Sequence, residues 1–188
     1  MSLVAMEQRN KIHPHKFTLW VGIGSILMMF AGLTSAYIVK RSQVGWESFN
    51  LPVVFWYSTG VILLSSLSIW MAQKAFKARL MLRYRTLMAV TFFLGVLFIV
   101  LQVIGFVQMF DLGHSLKSNV SYSFLWIIVG LHAAHVLGGI IVLLVMMLKA
   151  FGNKVRNYSI VPVELTSTYW HFVDALWIYL FLFLLMIK

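Results

Sequence analysis

Five ionisable side chains stand within or at the edge of strongly apolar sequence, and their spacing frames the chemistry open to this chain. His132 and His135 are three residues apart, as are His171 and Asp174, and Glu164 precedes His171 by seven. Residues three apart share a helix face, and seven apart fall almost in line at ~100° per residue. An ionisable group in an apolar span costs roughly 2.5–3.5 kcal/mol and is rarely left unpaired. Three chemistries fit such a set: a structural hydrogen-bond network, a proton or ion relay, or histidines on facing helices ligating a haem or a metal. No nucleophile–base pair, phosphate loop or dinucleotide fingerprint accompanies it, so the sequence offers no catalytic centre of its own.

The elements that must position these groups are membrane helices. Of the 188 residues, 61% are hydrophobic and 11% charged, with mean hydropathy +0.90, more apolar surface than a soluble domain of this size can bury. Five spans are predicted, at about 17–39, 53–73, 86–110, 122–148 and 165–187, giving an all-α, single-domain, polytopic bundle over 1–188. The first span ends in Lys40-Arg41 rather than at a small-residue cleavage site, so it reads as an uncleaved membrane helix. The chain has no cysteine, which excludes disulfides, thiolate metal sites and a thiol nucleophile together. The net charge of +10 sits between the apolar spans, as topology signals do, and does not point to nucleic acid.

Counting Lys and Arg gives 11 on the side of the amino-terminal tail and the second and fourth loops, against 4 on the other. By the positive-inside rule the amino terminus is cytoplasmic and the carboxyl terminus outside. This topology sets depths. His135 falls ~10 Å from the inner boundary, His171 ~9 Å and Asp174 ~14 Å. A hydrogen-bonded cluster of His135, His171 and Asp174 is therefore expected, with His132 slightly deeper. Truncating Asp174 would then strand its partners and cost a few kcal/mol.

Packing signals are clearest in the fourth span, where Gly130, Ala134 and Gly138 recur every four residues and predict close approach of another helix; Gly32 and Ala36 form a similar pair in the first. Trp20, Trp46, Trp56, Tyr57, Tyr84, Tyr122, Trp126, Tyr169 and Trp170 cluster near span ends, as interfacial aromatics do. Ser58, Ser65, Ser66 and Ser68 read as packing and backbone bonding.

Glu164, the run Tyr169-Trp170-His171-Phe172-Val173-Asp174 and Trp177 resemble the carboxyl-terminal signature of subunit III of haem–copper respiratory oxidases. Gly130-Leu131-His132-Ala133-Ala134-His135-Val136 is similar to that family's G-x-H-x-x-H-V segment, and His13-Pro14-His15-Lys16-Phe17 and Ser35-Ala36-Tyr37 also fit. The resemblance covers essentially the whole chain and implies the compact, five-helix bacterial form. Two positions depart from it: Ile26 and Gly105 stand where many members carry a carboxylate.

The resemblance implies a subunit without redox centres in a proton-pumping terminal oxidase that reduces oxygen to water. Haem and copper would reside in partner subunits, and phospholipid would be bound here. The expected partners are the catalytic subunit I, subunit II, small subunits and a larger respiratory supercomplex, in the bacterial inner membrane. On this reading His132, His135, Glu164, His171 and Asp174 form a structural or proton-linked cluster, with Tyr169, Trp170 and Trp177 as motif aromatics. The basic residues Lys74, Lys77, Arg79, Arg83 and Arg85 would gather anionic lipid or acidic groups near the proton-uptake mouth. The alternatives are subunit III of a quinol oxidase, a relative accompanying nitric oxide reductase, a stand-alone membrane haem protein, and a small transporter.

Overall fold

The computed structural model describes residues 14–42, 46, 51–111, 120–152 and 159–187. His13 and the tail before it, Lys117, Lys154, Arg156 and Lys188, which entered the motif or the charge count, lie outside the described residues. Among the described residues five helices follow one another, α1 Pro14–Arg41, α2 Val54–Lys77, α3 Met81–Asp111, α4 Val120–Phe151 and α5 Val161–Met186, and each is long and apolar enough to cross a membrane. Each predicted span is found, with helix extending beyond most of the predicted limits because backbone hydrogen bonding continues into the polar flanks, where hydropathy has already fallen.

Proline sets two of the starts. Pro14 opens α1 and Pro162 lies in the first turn of α5, where a missing N–H costs nothing. Lys40 and Arg41 close α1, complementing the negative end of its dipole.

The α2–α3 corner is a Schellman turn. Leu80 N donates to Ala75 O at 3.0 Å and Arg79 N to Phe76 O at 3.1 Å, which places Arg79 at φ 59°, the left-handed position that glycine normally takes. Arg79→Gly should therefore stabilise the chain by ~1 kcal/mol, read as a higher melting temperature or denaturant midpoint in detergent. No change would show that the turn relaxes around the arginine.

α2 packs on α3, α3 on α4, α4 on α5 and α5 back on α2, closing a four-helix ring, while α1 rests against the outside of α4 and α5. Half of α5's apolar window is buried, against 17% for α1, so α5 is the structural centre and α1 a flank. Lys16 on α1, Lys77 on α2 and Glu164 on α5 meet at one end of the bundle.

Several aromatics expected at the interface are core residues instead. Tyr84, Tyr122 and Trp170 are buried, whereas Trp20, Trp56 and Tyr57 are exposed. Nearness to a span end marks depth in the membrane but not which side of the helix faces lipid.

Candidate functional site

Trp170 of α5 reaches all three of the other ring helices. Its indole Nε1 donates to Ser65 Oγ on α2 at 3.0 Å. Its ring lies so near α3 and α4 that a Cβ on Gly95 would be 2.8 Å from Cη2, and one on Gly139 would be 2.9 Å from Cζ3. One side chain of α5 thus touches α2, α3 and α4, through two glycines that admit the ring.

Two turns further along α5, Trp177 repeats the pattern. Its Nε1 donates to Thr59 Oγ1 at 3.0 Å, and its ring packs on Phe98 of α3 and stacks on His132 of α4 at 5.1 Å. Phe30 and Phe98 present their edges to the same imidazole. His132 is fully buried in this aromatic box, and among the described residues neither ring nitrogen has a hydrogen-bond partner.

The direction of Trp170 fixes where its neighbours go, because successive residues are ~100° apart on a helix. Tyr169 turns toward α4 and donates to His135 O at 3.1 Å. His171 turns toward α2, where its Nδ1 and Ser66 Oγ share a 2.7 Å hydrogen bond. Ser66 also lies beside Asp174, but among the described residues neither carboxyl oxygen of Asp174 has a hydrogen bond of acceptable geometry. His135 is satisfied within its own helix by Nδ1–H donating to Leu131 O at 2.7 Å. Glu164 takes Lys16 at 2.9 Å and Lys77 at 3.4 Å, tying the ends of α1, α2 and α5 together.

The cytochrome c oxidase subunit III family profile matches residues 16–187 of this sequence, nearly its whole length. The chain belongs to the cytochrome c oxidase subunit III family. Subunit 3 of the cytochrome bo(3) ubiquinol oxidase of Buchnera aphidicola subsp. Schizaphis graminum is 33% identical over 174 residues, covering 89% of this chain and 90% of that relative. Cytochrome c oxidase subunit 3 of Corynebacterium diphtheriae is 30% identical over 176 residues, covering 86% and 85%. That of Bacillus sp. strain PS3 is 26% identical over 181 residues, covering 94% and 85%. The chain is thus a multi-pass membrane subunit III of a haem–copper oxidase, of the cytochrome c or the quinol type.

In this subunit III the expected single cluster is divided among four arrangements. His132 sits among aromatics, His171 and Asp174 gather at Ser66, and Glu164 holds two lysines, while His135 bonds to its own helix. Depth placed His135, His171 and Asp174 at one level, but docking of Trp170 turns the His171 edge of α5 toward α2 rather than α4. Among the described residues no group of three or more histidines or carboxylates is placed to hold a metal ion.

The small-residue stripe is likewise not the one that packs this subunit's helices. Gly130, Ala134 and Gly138 are exposed, with nothing within 4 Å of a Cβ on Gly130 and only Tyr169 Oη, at 3.9 Å, near one on Gly138. Gly32 in α1 is also open. The helices close instead on Gly95 and Gly139, and on Gly105, whose Cβ would meet Phe55 at 3.1 Å. Gly139 follows Gly138 directly, so the face that packs within the chain lies ~100° from the one that spacing selected. The signal that separates them is Trp170, a large side chain that needs glycines opposite it.

The serines behave as packing groups. Ser58 donates to Phe55 O and accepts from the buried Gln102, Ser65 accepts from Trp170, and Ser68 donates to Leu87 O. The two carboxyl oxygens of Asp174, without a hydrogen bond among the described residues, change the expectation for that side chain. With no hydrogen-bonded partner to strand, Asp174→Ala should alter stability by no more than ~1 kcal/mol, the small cavity offsetting the release of two orphaned oxygens. Unfolding of the variant in mixed micelles checks this, and a loss above ~3 kcal/mol would mean that the carboxyl is engaged in the assembled protein.

Proposed function

We propose that this chain is the supporting subunit, without redox centres, of a proton-pumping terminal oxidase that reduces oxygen to water, and that it stabilises the catalytic subunit I, holds phospholipid and sustains proton uptake. The observation that carries this reading is how the polar groups are used. His171, His135 and Glu164 are engaged inside the chain and His132 is enclosed by aromatics, an arrangement suited to a rigid scaffold. Haem and copper then belong to the partner subunits.

Lipid binding is supported by a groove of about 580 Å³ between α1 and α5, walled by Ile23, Leu27, Phe30, Phe172, Leu176 and Tyr179. Its apolar walls suit an acyl chain. The location is the bacterial inner membrane, with the amino terminus cytoplasmic. The excess of Lys and Arg on that side supports this topology, and the absence of native cysteine makes single-cysteine labelling from either side a clean test.

Purification through a tag on this chain in mild detergent tests the assignment. A complex containing haem and copper is expected, and a preparation lacking the chain should lose activity faster during turnover. A chain that purifies alone and carries its own haem spectrum would replace this reading with a stand-alone haem protein. Relatives of both cytochrome c and quinol oxidases match the chain, so a copper-binding domain on the copurifying subunit II would decide the donor.

A further inference from the structure

At the Schellman corner a pocket of about 330 Å³ opens between α2 and α3. Lys74 and Arg83 stand in its wall, and Met71, Ala75, Leu80 and Leu87 supply apolar surface. Along the helix axes Met71 is ~4.5 Å deeper in the bilayer than Lys74, and Leu87 ~6 Å deeper than Arg83. The cations are therefore at the mouth and the hydrocarbon wall lies below them.

Among the described residues neither cation is neutralised by a carboxylate. Glu164 is taken by Lys16 and Lys77, and among the described residues no carboxylate lies within ion-pair distance of Lys74 or Arg83. The Lys74 ammonium lies 3.5 Å from the centre of the half-exposed Trp70 ring, a cation–π contact that places the charge without consuming its donors. Arg83 adds a planar fork suited to two phosphate oxygens.

The geometry points to a binding site for one anionic phospholipid, its phosphate between Lys74 and Arg83 and the start of an acyl chain along Met71 and Leu87. The apolar wall on the membrane side favours a lipid over an acidic protein segment, which would need only the cations. This inference deepens the lipid-holding part of the proposed function and places a second lipid away from the α1–α5 groove.

The test uses the full chain in phosphatidylcholine nanodiscs doped with phosphatidylglycerol, with bound lipid counted by native mass spectrometry. Selective retention of phosphatidylglycerol is expected. At roughly fivefold per basic charge, Lys74→Gln with Arg83→Gln should weaken it ~30-fold. Arg83→Lys should weaken it less, and Lys149→Gln, outside the pocket, should leave it unchanged. An unaltered melting temperature would show that the double variant is folded. Undiminished retention in that variant would overturn the site. Displacement by millimolar inorganic phosphate would also overturn it, by showing that a free anion suffices. So would loss of a neighbouring subunit from the purified oxidase with lipid retention intact, which would make the pocket a protein contact. The nanodisc assay does not depend on copurification of haem and copper, so the site and the proposed function fail separately.

Discussion

Trp170→Ala should destabilise the bundle by about 3 kcal/mol, the low end of the range for removing a buried aromatic. In lipid the transfer of apolar surface from water contributes little to helix association, so the loss comes from packing across the ring and from the Nε1 hydrogen bond to Ser65, whose hydroxyl still donates to Thr91 O. Trp170→Phe keeps much of the ring and loses mainly the Nε1 hydrogen bond, so it should cost ~1 kcal/mol. Unfolding in mixed detergent–denaturant micelles, followed by tryptophan emission and helicity, measures both. A loss below ~1 kcal/mol for the alanine variant would show that the four helices do not depend on this side chain.

Gly139→Ala carries the second large effect. The new methyl would stand 2.9 Å from Trp170 Cζ3, and overpacking of this kind costs roughly 1–3 kcal/mol. Gly138→Ala is the control. Its methyl would meet only Tyr169 Oη at 3.9 Å, so better helix propensity should leave that variant as stable as the parent or up to ~1 kcal/mol more so. Two adjacent glycines thus give opposite signs. Gly95→Ala should behave like Gly139→Ala, since its methyl would fall 2.8 Å from the same indole. In a Trp170→Phe background both penalties should shrink, with a coupling energy of about 0.5–3 kcal/mol. If Gly138 and Gly139 respond alike, α4 is rotated from the orientation described.

Whatever depends on one-dimensional pattern was legible in the sequence. Hydropathy located all five helices. The spacing of His132, His135, Glu164, Trp170, His171 and Asp174 carried the family, and the matching profile over residues 16–187 agrees. Lipid requires every backbone polar group to be satisfied within its own helix, so span positions follow from local composition alone.

Rotation of each helix about its axis was decided only in the folded chain. Lipid tails and core side chains are similarly apolar, so hydrophobicity carries little information about which face is inside. Shape supplies it instead: Trp170 fits only against Gly95 and Gly139, and that one fit carries His171 to Ser66 and Tyr169 to His135 O. It leaves the Gly130–Ala134–Gly138 stripe on the outside and separates His135 from His171 and Asp174, which depth alone had placed together. The sequence by itself determined how many helices cross the membrane, where they lie and to which family they belong. Which residues meet was left to the tertiary structure, because contacts between helices depend on side-chain volume summed across four of them.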